Sequence, residues 1–104
     1  KYGEGVATAT ITEQYRNMRQ QVEPMPHIID IVLDALREID IEPKVRAIRG
    51  GTDGAQLSFM GLPCPNIFAG GLNFHGPHEF LPIPSLEKAS RLVVKIIEMT
   101  ARGI

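Results

Sequence analysis

Apolar and polar positions change their period several times along the chain, and each change marks an element. Ala7 to Tyr15 (A-T-A-T-I-T-E-Q-Y) alternates with a period of two. That pattern predicts a strand with Ala7, Ala9, Ile11, Glu13 and Tyr15 on one face and Thr8, Thr10, Thr12 and Gln14 on the other. One face is mildly apolar, which suits an antiparallel sheet with a solvated side. Residues 16–26 (RNMRQQVEPMP) lose the alternation and read as a linker and domain boundary. From His27 to Ile39 the apolar set Ile28, Val32, Ala35, Leu36 and Ile39 recurs at three- and four-residue steps. Ile29 and Leu33 widen that stripe, so the spacing predicts a substantially buried helix, with Pro26 in its first turn. Asp34 and Glu38 repel on its polar face, and Arg37 offsets them.

Beyond Pro43, Val45 to Ile48 reads as a short strand. Asp53 to Met60 reads as a short helix capped by Thr52 or Asp53 and stopped by Gly61. Asn66 to Ala69 reads as a second short strand, followed by a loop rich in glycine, proline and histidine over 72–84. The final helix is expected to be capped by Ser85 and to bury Leu86, Ala89, Val93, Ile96, Ile97 and Thr100. Alternating helices and strands predict an α/β layer with right-handed crossovers.

Composition narrows the class without naming it. A 104-residue chain with 43% hydrophobic and 22% charged residues can form one domain at most and has enough apolar material for a core. Its formal charge of -1 provides neither a nucleic-acid footprint nor a polybasic membrane signal. No apolar run reaches the roughly 20 residues of a membrane span. The single cysteine, Cys64, excludes an internal disulfide framework and fits a reducing compartment. Cys64, Met60, Met99 and the phenylalanines are expected to be packing residues.

Two stretches carry candidate chemistry. In Arg49-Gly50-Gly51-Thr52-Asp53-Gly54, a glycine pair joins a strand to a helix, so backbone N–H groups and the helix N-terminus could meet a small anion. Arg49 adds a planar fork for carboxylate or phosphate. The same residues also fit a tight turn with a capped helix and a solvated arginine. In Asn73-Phe74-His75-Gly76-Pro77-His78-Glu79-Phe80, two histidines and a glutamate share one loop. Imidazole is a common zinc ligand and a nearby carboxylate can fix its tautomer, yet histidines also hold turns by hydrogen bonds. Tyr15-Arg16-Asn17-Met18 is a candidate contact at the domain edge.

Taken together, Y-R-N-M at 15–18, I-R-G-G-T-D-G-A-Q-L-S-F-M-G-L-P-C-P-N at 48–66 and G-G-L-N-F-H-G-P-H-E-F at 70–80 resemble the co-catalytic dizinc peptidase family, in its tripeptide-aminopeptidase branch. The resemblance covers nearly the whole chain. It implies a two-domain enzyme whose α/β catalytic domain carries two zinc ions and is interrupted by a lid (dimerisation) domain. It aligns His75 with the last zinc ligand of the family. It makes Arg49, Gly51, Thr52 and Asp53 substrate-binding candidates, with Glu79 and His78 supporting the His75 loop.

The family's other four metal ligands and its general base have no match in residues 1–104. The resemblance therefore implies a C-terminal segment. Residues 1–20 would be the last lid strand and the start of a linker. Residues 21–104 would be the closing helix-strand-helix-strand-helix portion of the catalytic α/β domain. The intact protein would be a cytoplasmic, homo-oligomeric zinc aminopeptidase releasing the N-terminal residue from tripeptides. The segment alone is expected to be inactive, to bind zinc poorly, and to associate or carry a disordered arm over 1–24. The rival expectation is a small α/β anion-binding module, or an assembly module pairing through the strand at 7–15.

Overall fold

Four helices form, three of them where helices are expected from the sequence, in a computed structural model that describes residues 2–103. Lys1, the start of the expected lid-strand portion, and Ile104, the end of the expected catalytic portion, lie outside the described residues. The helices are α1 (Arg19–Val22), α2 (Pro26–Glu38), α3 (Asp53–Phe59) and α4 (Ile83–Ala101). Helix α1 falls within the expected linker. Asn17 starts it by accepting the Arg19 N–H on its Oδ1 at 3.0 Å, and Val22 buries its single apolar contact surface.

Helix α2 begins with Pro26 at its first position, where a missing N–H costs nothing. It ends in a Schellman turn: Ile41 N–H reaches Leu36 O at 2.9 Å and Asp40 N–H reaches Arg37 O at 3.1 Å. Asp40 occupies the left-handed position of that turn with φ of 60°. Helix α3 closes the same way through Leu62 and Gly61, as its sequence predicted.

Helices α2 and α4 pack on each other and contain the main core, formed by Ala35, Leu36, Ile39 and Leu92, with Val32, Ile41, Ile96 and Met99 at its margin. Lys95 Nζ bridges Glu38 and Glu98, each at 3.3 Å, and closes one side of this pair. Arg37 binds Asp34 at 2.7 Å on the exposed face of α2.

Several expectations for α4 are corrected. Its first residue is Ile83 and its N-cap is Pro82, so Ser85 lies inside the first turn. Pro84 is tolerated there because the N–H it lacks would have had no partner. The face turned to α2 runs through Leu92, Ile96 and Met99, and Ala89 is also buried. Leu86, Val93 and Ile97 remain 44–62% exposed, because α4 is apolar over two faces and α2 covers one, and Thr100 is exposed too. Met60, Phe68, Phe74 and Phe80, expected to pack, are exposed as well, and Phe59 is only partly covered.

The segments expected to be strands, 7–15, 45–48 and 66–69, lie in no ladder. Among the described residues the single β-type pairing is an antiparallel bridge between Leu72 and Phe80. A strand is defined by backbone N–H and C=O groups that pair with those of a neighbouring strand, and these segments have no such pairing. Their apolar side chains stay in solvent: Ile11 is 95% exposed, Val45 81% and Ile48 58%. The radius of gyration is 18.7 Å, against about 13 Å for a compact chain of this length. The helices form as local units, and the sheet that would unite them is absent from the described residues.

Candidate functional site

The first candidate stretch folds around the start of α3. Thr52 is extended, and its Oγ1 accepts the Ala55 N–H at 3.2 Å, making it the helix cap. Asn66 Nδ2 donates to the same oxygen at 3.1 Å. Asp53 follows in the first turn, where a carboxylate complements the helix dipole. Gly50 has φ of 75°, a left-handed conformation that side-chain-bearing residues seldom adopt. Arg49 is exposed, and its guanidinium makes no ion pair among the described residues.

Behind this loop, Ser58 is fully buried on the inner face of α3. Its Oγ donates to Gly54 O at 2.7 Å and accepts the Cys64 N–H at 2.9 Å, so one hydroxyl ties the first turn of α3 to the Pro-Cys-Pro connector. Cys64 is half-buried, in keeping with a packing role.

The segment ending in Tyr-Arg-Asn-Met lies across α3. Gln56 Nε2 donates to Gln14 O at 2.7 Å, and the Arg16 guanidinium sits 4.1 Å from the centre of the Phe59 ring. Met18 Sδ is 3.9 Å from Ser58 Oγ. A small cleft of about 120 Å³ opens between the segment and the helix, lined by Glu13 to Arg16, Ala55, Gln56 and Phe59. Three runs that are distant in sequence, at 14–18, 49–59 and 64–66, are thus brought to one place. Sequence reasoning did not single out Asn66 or Ser58. Ser58 offered one signal, a small polar residue on the inward side of a short amphipathic helix.

The second stretch is a closed loop. Leu72 and Phe80 exchange both backbone hydrogen bonds, at 2.9 and 3.1 Å, and pinch the loop at its base. Inside it, Gly76 N–H reaches Asn73 O at 3.1 Å and Glu79 N–H reaches Gly76 O at 3.2 Å. Asn73 and His75 both have positive φ, 56° and 63°, which for residues other than glycine is uncommon and typical of shaped loops. His75 is exposed at the tip. Asn73 Nδ2 reaches His78 O at 3.4 Å, so His78 supports the loop through its backbone. Neither the Glu79 carboxylate nor the His78 ring bonds His75 among the described residues.

No group of three or more His, Cys, Asp and Glu side chains is arranged to hold a metal ion among the described residues. A catalytic zinc takes about three protein ligands, so the single exposed imidazole of His75 does not complete a zinc centre by itself. No helix of the described residues is long and apolar enough to cross a membrane.

Comparison with known proteins covers nearly the whole chain. Residues 4–99 match peptidase family M20/M25/M40. Over 98 residues the chain is 61% identical to a Peptidase T of Parabacteroides distasonis, covering 94% of this chain and 24% of that protein. It is 56% identical to a Peptidase T of Vibrio parahaemolyticus over the same share of each. Against a Peptidase T of Escherichia coli it is 59% identical over 92 residues, 88% of this chain and 22% of that protein. The chain thus spans about a quarter of the length of the curated relatives it matches.

Proposed function

Since the chain belongs to peptidase family M20/M25/M40, we propose that it is the C-terminal segment of a zinc-dependent aminopeptidase that releases the N-terminal residue from tripeptides. The observation that carries this reading is 61% identity to a Peptidase T across 94% of the chain. Residues 21–104 are the closing part of an α/β catalytic domain, and residues 1–20 are the last lid strand and the beginning of the linker. The unpaired segments 45–48 and 66–69 are its strands once neighbouring strands lie beside them. Their exposed apolar side chains support this.

In this reading Arg49 and the N–H groups around Gly51, Thr52 and Asp53 bind the peptide, by charge and by donors directed at its carbonyl or carboxylate oxygens. His75 contributes one imidazole to a zinc centre whose other ligands lie outside these 104 residues. Glu79 and His78 hold its loop in shape. A zinc ion bound there would supply Lewis acidity for peptide hydrolysis. The protein acts in the cytoplasm as a homo-oligomer.

The test is hydrolysis by the intact protein of a free tripeptide, an N-acetylated tripeptide and a dipeptide. Release of the first residue from the free tripeptide alone is expected, with loss on chelation and return with zinc. Turnover of the blocked peptide, or indifference to chelation, would overturn the reading. The 104-residue segment alone is expected to show no turnover.

A further inference from the structure

The two adjacent glycines of the Arg49–Gly54 loop are glycine for different reasons. Gly50 needs its left-handed backbone, with open space where a side chain would go. Gly51 does not have that conformation. A Cβ on Gly51 would instead fall inside the Tyr15 ring, whose atoms are the three nearest to it. The ring therefore lies flat against the Gly51 backbone, closer than any side chain at that position would allow.

Tyr15 is held in that place on both sides. The carbonyl of the preceding residue, Gln14, receives the Gln56 amide at 2.7 Å, and the following residue, Arg16, stacks over Phe59. Both anchors are on α3, the helix that the glycine loop introduces. The ring thus backs the loop from the N-terminal segment while Thr52 fixes its other end through the Ala55 N–H.

We propose that Tyr15 is a positioning residue for peptide binding: its ring sets the Gly50–Gly51 backbone at the depth where the N–H groups and Arg49 meet the substrate. This rests on the substrate-binding reading of that loop given above. Tyr15 itself touches Gly51, not the substrate. Its contribution is geometric, and it should act on KM rather than on turnover. Because the contact is made by the ring face, the hydroxyl is dispensable.

The experiment uses the intact enzyme with tripeptide as substrate, reading KM and kcat separately, together with zinc content and thermal unfolding. Tyr15→Ala is expected to raise KM about tenfold with kcat within about twofold, since displacing a binding group weakens binding without altering the reacting atoms. Tyr15→Phe is expected to match the natural enzyme. Gly51→Ala is expected to reproduce Tyr15→Ala, because its methyl group expels the ring. The double variant Gly51→Ala/Tyr15→Ala should be no worse than either single change, the non-additivity of two residues acting as one unit. A folded Gly51→Ala enzyme with natural KM overturns the proposal, and so does a Tyr15→Phe enzyme as impaired as Tyr15→Ala. If Tyr15→Ala does not fold, Gly51→Ala and Tyr15→Phe still decide it. An intact protein that cleaves no tripeptide refutes the functional reading. One that cleaves tripeptides with additive effects at 15 and 51 refutes the positioning role alone.

Discussion

Asn66 donates its side-chain amide to Thr52 Oγ1 at 3.1 Å, the same oxygen that caps α3. The residue that begins one expected strand therefore steadies the turn that leaves another. The hydroxyl accepts from two donors, so its own hydrogen is left to point away from both.

Removing either partner should loosen the start of α3. Thr52→Ala is expected to destabilise the intact protein by about 1 kcal/mol, the usual cost of a lost N-cap, with Thr52→Ser near neutral. Asn66→Ala should cost less, about 0.5 kcal/mol, because the cap itself survives. Urea unfolding of the three variants checks the order. An Asn66→Ala variant less stable than Thr52→Ala would contradict it.

Leu92 is fully buried where α4 meets α2. Leu92→Ala is expected to cost the intact protein about 2–5 kcal/mol, through lost transfer energy and the cavity left behind. Ile97→Ala, on the uncovered face of the same helix, should cost the isolated segment less than about 0.5 kcal/mol. Helix content measured by circular dichroism across a denaturant series separates the two.

Asp40 pays for the Schellman turn of α2 with a left-handed backbone. Asp40→Gly relieves that strain, worth about 1–2 kcal/mol, and gives back about 0.4–1 kcal/mol in unfolded-chain entropy. Net stabilisation of about 0.5–1 kcal/mol should appear as a raised denaturation midpoint with unchanged slope. A lowered midpoint would show that the aspartate side chain has a local role the turn geometry does not reveal.

In the intact protein, His75→Asn keeps a residue type that tolerates positive φ while removing the imidazole. Metal analysis should show about one zinc ion fewer per chain, and tripeptide turnover should fall by at least about a hundredfold. Full metal content with full turnover would remove His75 from the zinc centre.

The 104-residue segment should associate in solution. Ile11, Val45, Met60 and Ile83 are each more than half exposed, and unpaired backbone at 7–15 can join a neighbour edge to edge. Light scattering is expected to give a mass above that of one chain, rising with concentration. A constant single-chain mass would contradict this.

Helices α2, α3 and α4 were legible because their signals are local, whereas the four-residue α1, inside the expected linker, is too short to show a period. The three- and four-residue spacing of Val32, Ala35, Leu36 and Ile39, the Thr52 cap and the Gly61 stop each act within a turn or two of themselves. The start of α4 was misread because Ser85 is a good capping residue, but the Pro82–Pro84 pair already fits a first turn upstream of it. Its buried stripe was misread because periodicity reports that Leu86, Val93 and Ile97 are apolar, not which neighbour is present to cover them. The strands expected at 7–15, 45–48 and 66–69 did not form, since a strand needs a paired neighbour and alternation along one segment does not report whether one is present. At the candidate site, Arg49 to Asp53 and His75 could be picked out by residue type and spacing. Tyr15 was marked only as part of a candidate contact at the domain edge, and its seat against Gly51 could not be read, nor could the support from Asn66, because each acts through a contact with residues well away along the chain.

Gly70 has φ of 87°, and a Cβ there would come within 2.7 Å of the Ser85 Cβ and 2.9 Å of its carbonyl oxygen. The hairpin carrying His75 is therefore seated directly on the first turn of α4, with no side chain between them as a spacer. Even the smallest substituent at 70 would lever the whole hairpin outward, so the aim of the imidazole depends on an atom that is missing several residues before it.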